Sequence, residues 1–146
     1  MRRVITGNDE SGRSMVITDD EVADHGMATL WRTTDADVNP AAADAGRLGF
    51  EPERGSAAWM CVDISPDAQM RELLAAGAAG IDPDGWHTTA TVDYVYVVSG
   101  PVVLLLDKGE VELQAGDCLV QRATRHAWRN RTEQPARLSC VMVGMG

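Results

Sequence analysis

The second half of this chain is a succession of short apolar segments, each closed by turn-forming residues, and that pattern restricts the fold more than any other feature. Such segments lie at 86–99, 102–107, 110–114, 118–121, 126–130 and 137–143. Asp107-Lys108-Gly109 reads as a tight hairpin between two of them, and Ala115-Gly116-Asp117 as the next corner. Strands at this regular spacing, with no helix-length crossover between them, build an antiparallel sandwich or barrel and not a parallel α/β sheet.

The first half is less regular. Ala-Ala-Trp-Met-Cys-Val-Asp-Ile at 57–64 reads as a strand ending at the turn Ser65-Pro66-Asp67. Residues 67–79 read as one short helix or a helical loop, with Ser65 or Asp67 as N-cap and Gly80 as the stop. Residues 1–55 form a polar, loop-rich arm with short strands at 14–18 and 28–33 and a long turn-rich stretch from Thr33 to Glu53. The expectation is therefore an all-β chain, with the arm at 1–55 belonging to the same domain as a barrel at 56–146.

At 146 residues the chain is about one domain long. It contains no apolar run near the ~20 residues of a membrane helix, and Met1-Arg2-Arg3 leads into the polar Thr6-Gly7-Asn8-Asp9-Glu10 with no signal-peptide core. A cytoplasmic location with no membrane partner is expected. The net charge of −9 opposes binding to a phosphate backbone. The cluster Arg122, Arg125, Arg129 and Arg131 could attract an anion, but suits a solvated strand edge slightly better. Three widely spaced cysteines, Cys61, Cys118 and Cys140, fit reduced core thiols and not a disulfide framework.

Period-two alternation puts His87, Thr89, Thr91, Asp93, Val95 and Val97 on one face of the 86–99 strand, with Thr88, Val92, Tyr94 and Tyr96 on the other. The same alternation groups His126, Trp128 and Asn130. Two histidines and an aspartate are a plausible metal set, and hydrogen-bonded pocket histidines without metal are the alternative. His25, in the acidic arm, reads as solvent-exposed.

These segments resemble the cupin superfamily. The first cupin motif reads His87-Thr88-Thr89-Ala90-Thr91-Val92-Asp93, followed by Gly100, and the second runs from Gly116 to His126-Ala127-Trp128-Arg129-Asn130. The chain departs from the family pattern in three places: Thr89 stands where the motif has its second histidine, Asp93 where it has glutamate, and Arg122-Ala123-Thr124 where it has Pro-x-Gly. The resemblance implies an antiparallel jelly-roll barrel and a small-molecule pocket. It also implies His87, Asp93 and His126 as catalytic groups and as ligands to one divalent Fe, Mn, Zn or Ni ion, with Asp93, one methylene shorter than glutamate, able to fall back to a supporting position. Thr89, Gln121, Trp128 and Asn130 would contact substrate, and Tyr94 and Tyr96 would face a second layer or a homodimer interface, with ordinary outer-face packing under the N-terminal arm as the alternative. The function so implied is decarboxylase, isomerase, dehydratase or dioxygenase chemistry on a small organic acid or biosynthetic intermediate. The alternative is a cupin that binds a small ligand without catalysis.

Overall fold

Strand-forming residues in the second half have no competing helical period, so neighbouring runs fold back on each other through the shortest turns available. In the computed structural model, residues 2–8, 13–23, 25–33, 51–75 and 81–146 are described. Among them run β1 (Arg2–Asn8), β2 (Ser14–Glu21), β3 (Met27–Thr33), β4 (Ala57–Ile64), α1 (Asp67–Ala75), β5 (Thr91–Ser99) and β6 (Val102–Leu106). The order continues with β7 (Gly109–Leu113), β8 (Cys118–Arg122), β9 (His126–Arg129) and β10 (Ala136–Gly144). A five-stranded sheet has the order β3-β4-β10-β5-β8, a three-stranded sheet the order β7-β6-β9, and β1 pairs with β2 alone. Every named pairing is antiparallel.

The all-β expectation holds. The hairpin at Asp107-Lys108 pairs Leu106 with Gly109, and Gly109 supplies the positive φ of 109° that a bulkier residue resists. The inner face of the five-stranded sheet forms most of the core: Ala58 and Met60 from β4, Leu138 and Met142 from β10, Val95 and Val97 from β5. Asp67, at the start of α1, accepts a hydrogen bond from the Asn130 backbone and so ties the helix to the end of β9.

Several boundaries differ from the sequence-based expectation. The strand expected at 86–99 is regular only from Thr91. Ahead of it His87 makes an isolated antiparallel bridge with His126, because Asp82 caps a turn by accepting from the backbone of Asp84 and Trp86. The strand expected at 14–18 continues to Glu21 and pairs with β1, which the polar composition of the arm concealed. β3 lies in the arm by sequence yet forms the edge of the main sheet beside β4. The helix expected over 67–79 is seen to Ala75, and 76–80 lie outside the described residues, as does the turn-rich stretch 34–50. All three cysteines are free, but only Cys140 is buried; Cys118 is exposed, because it takes an outward position on β8.

Candidate functional site

The antiparallel bridge between His87 and His126 creates the site. Each donates its backbone N–H to the other's carbonyl at 3.0 Å, and the two rings lie with centroids 4.3 Å apart. His87 Nδ1 sits 3.1 Å from the Gly85 carbonyl and His126 Nδ1 sits 2.9 Å from that of Thr124. A carbonyl oxygen only accepts, so both Nδ1 atoms carry the hydrogen, and in each neutral ring Nε2 is the basic nitrogen. Burial holds the His126 imidazole below its usual pKa; the Thr124 carbonyl partly offsets this, and the His87 charge adds to it.

Asp93 enters from β5, between its cross-strand partners Met142 on β10 and Gln121 on β8. It is 6% exposed, and its Oδ1 is the one buried side-chain polar atom without a hydrogen-bond partner among the described residues. Burial raises its pKa from the ordinary aspartate value, against the lowering effects of a Thr91 hydrogen bond and the His87 charge. The Thr91 hydroxyl in turn lies 2.7 Å from that of Thr89, so the position where the family motif has histidine is occupied by a buried hydroxyl pair. The Gln121 amide is tied to the hydroxyl and carbonyl of Thr124. Thr124 follows Ala123, which is held in the left-handed region at φ 49° while its N–H donates to the Thr91 carbonyl.

His87, His126, Asp93, Thr89, Gln121 and Trp128 all line one cavity of about 300 Å³. The Trp128 ring stands edge-on to that of His126 at 6.2 Å. Asn130 does not join them, a correction to the expectation that it contacts substrate. Its amide donates to the carbonyls of Ile64 and Gln134 and its Oδ1 accepts from Thr132, so it pins the loop after β9 to the end of β4. Alternation set Asn130 beside Trp128, but β9 ends at Arg129 and the chain turns there. The arginine cluster also lies off the cavity. Arg125 pairs with Asp107 and Asp82 and stacks on Trp86, Arg131 pairs with Glu110, and Arg129 donates to the Asp84 and Trp128 carbonyls.

The sequence reading missed the apolar wall. Met60, Val62, Leu138 and Met142 face the cavity from β4 and β10, joined by Met70 and Leu73 from α1. The alternation of Leu138, Cys140 and Met142 carried that signal, but no chemical group drew attention to it. Cys140 also faces the cavity, and burial together with the nearby Asp93 charge pushes its thiol up to about 12, so it stays protonated and weakly reactive.

With this geometry established, comparison with known proteins decides the family, because the model described as "Cupin domain" matches residues 70–143, half of the chain. The chain belongs to the cupin family. The cupin-domain-containing oxidoreductase fogC of Aspergillus ruber is 28% identical over 97% of this cupin and 71% of its own length. Phomopsin biosynthesis cluster protein C' of Diaporthe leptostromiformis is 49% identical over 32% of the chain, a match that spans about a quarter (25%) of that relative. A Cupin 2 conserved barrel domain protein from Salinispora arenicola is similar with a TM-score of 0.41 and 18% identity, over 60% of this chain and 61% of that one.

Cupins imply a bound metal, and the donors here suit one only in part. The two imidazoles are oriented as metal-binding histidines usually are, with Nδ1–H on a carbonyl and Nε2 basic. The orphaned Asp93 oxygen also has the right chemistry. Among the described residues, however, no three His, Cys, Asp or Glu side chains gather closely enough to hold an ion. A metal would rest on the histidine pair, with water or substrate completing its shell.

Proposed function

We propose that this cupin is an enzyme that acts on a small organic molecule held in the cavity, with His87 and His126 as its basic pair and Asp93 as its acid. The observation that carries this is the convergence of two tautomer-fixed imidazoles and one unpartnered buried carboxyl oxygen on a single cavity. Relatives named cupin-domain-containing oxidoreductases support an enzymatic role.

His126 stays neutral at physiological pH because burial disfavours its charged form, so Nε2 can take a proton from a bound molecule. Asp93, biased toward its neutral form, can donate a hydrogen bond to a substrate oxygen through its unpartnered side. Trp128 and the apolar wall exclude water and strengthen both interactions. In a metal-loaded form, a divalent Fe, Mn, Zn or Ni ion held by the two Nε2 atoms would supply Lewis acidity in place of their proton-accepting role. The companion reading, a ligand-binding cupin without turnover, draws on the same unpartnered oxygen, which serves recognition as well as catalysis.

Elemental analysis of protein purified without chelator tests the metal role. About one transition metal per chain is expected, lost in His87→Ala and in His126→Ala and kept in His25→Ala. Equal metal content in all three variants would overturn the assignment of the pair.

A further inference from the structure

His87 stands ahead of the regular part of β5, so its place depends on the turn before it. That turn closes on itself. Asp82 donates its N–H to the Trp86 carbonyl at 3.0 Å, Gly85 donates to the Asp82 carbonyl at 2.8 Å, and the Asp82 carboxylate accepts from the backbone of Asp84 and Trp86. Gly85 then supplies the carbonyl that holds His87 Nδ1, and both residues line the cavity. The His87 ring therefore points where the turn points. A closed turn must still be held against the sheet, and the two hydrogen bonds of the His87–His126 bridge fix it at one point about which it can pivot.

Two arginines of the cluster oppose that pivot. Arg125 immediately precedes β9 and Arg129 ends it, so they flank His126 along the chain. The Arg125 guanidinium lies 4.3 Å from the centre of the Trp86 ring and 3.7 Å from the Asp82 carboxylate, and its Nη1 donates to Asp107 at 2.9 Å. Arg129 donates through Nη2 to the Asp84 carbonyl at 2.6 Å and through Nη1 to the Trp128 carbonyl at 2.8 Å. The start, middle and end of the turn, at Asp82, Asp84 and Trp86, are thus each engaged by an arginine beside the other histidine. Stacking and forked donation suit a planar guanidinium and not an ammonium. The side chains of Arg125 and Asp82 are 48% and 42% exposed, so their pairing adds little to global stability; its effect is on direction. Arg131, by contrast, is paired with Glu110 on β7.

We infer that Arg125 and Arg129 are positioning residues for the histidine pair: they clamp the turn of His87 to the strand of His126 and so set the distance and angle between the two imidazoles. The inference rests on the reading of His87 and His126 as the working pair, and gives two arginines that lie off the cavity a part in shaping it.

Combining Arg125→Met with Arg129→Met keeps the aliphatic stems and removes the guanidinium contacts to the turn. Long-range proton–nitrogen correlation NMR of the metal-free full chain at pH 7.5 reads which nitrogen of each ring carries the hydrogen. In the double variant His87 should pass from the Nδ1–H form to a mixture of both tautomers, while His126, held by the Thr124 carbonyl, keeps its own. Zn(II) affinity in calorimetric titration should fall by about ten-fold or more, the usual cost of losing a group that orients a ligand. Either single variant should show part of both changes, and Arg131→Met neither. Melting temperatures should stay within about 4 °C of wild type, as expected for exposed contacts. An unchanged His87 tautomer in the double variant, or an equal loss of Zn(II) affinity in Arg131→Met, would overturn the inference. Failure of the wild-type protein to bind Zn(II) would count against the metal role alone, and the His87 tautomer would then decide the clamp by itself.

Discussion

The two faces of β5 differ in what their residues do, although they alternate along one strand. Inward-facing Thr91, Asp93, Val95 and Val97 are buried, while Tyr94 and Tyr96 on the outward face are 54% and 49% exposed. Exposed tyrosines need no special account, since folded surfaces carry much apolar area. The informative positions are the polar ones facing inward, where a strand built only for packing would carry valine. Asp93 and its partner Gln121 occupy such positions at one end of the sheet, where a buried carboxyl costs stability that apolar packing would not.

Substitutions on the two faces should separate these roles. The largest effect is expected from Met60→Ala on the inward face, a loss of about 2–5 kcal/mol in denaturant unfolding, because a fully buried side chain leaves a void. A loss under about 1 kcal/mol would mean that the cavity wall is already loosely packed.

Asp93→Asn should act in the opposite direction, with a gain of about 1 kcal/mol at pH 7.5, typical of relaxing a site that costs stability, together with weakened ligand binding. The sign follows from burial: the folded pKa is raised, so the stabilising contribution of the carboxyl is complete below the unfolded value of 3.8 and is lost as pH rises through the folded value. Wild type and variant should therefore diverge as pH rises and converge in acid. A variant less stable at neutral pH would show that the ionised carboxylate has a partner that the fold hides.

His126 gives a smaller effect with the reverse pH dependence. Its folded pKa is lowered, so the unfolded chain takes up a proton first and stability falls as pH drops from 6.5 toward the folded value. His126→Gln should flatten that slope in melting curves between pH 7.5 and 5, and an unchanged slope would place the titration elsewhere.

The smallest effect belongs to the outward face. Tyr94→Ser should change stability by within about 0.5 kcal/mol. A larger loss that varies with protein concentration would instead mean that a second copy covers this face.

The strands and their alternation were legible in the sequence because turn residues bounded each apolar run, and the extent of β4 at Ala57–Ile64 was read without error. Alternation put His87 and Asp93 on one face, while their meeting with His126 around one cavity was implied by the cupin resemblance. Three features were not legible. Asn130 shares the parity of His126, but leaves the cavity because the strand ends one residue before it. Cys118 is apolar enough for a core, yet β8 turns it outward. The wall contributed by α1 and Met27 depends on how distant segments fold over the sheet, and no local pattern encodes that.

The Thr124 carbonyl accepts from both Gln121 Nε2 and His126 Nδ1, and it follows the left-handed Ala123. A left-handed alanine costs roughly 1–2 kcal/mol relative to the ordinary helical conformation, and glycine escapes most of that cost. The orientations of the Gln121 amide and the His126 imidazole therefore both depend on the backbone at this one loop position. A single relaxed peptide would swing the amide and the imidazole together and leave both identities intact. Their orientations are inherited as one trait.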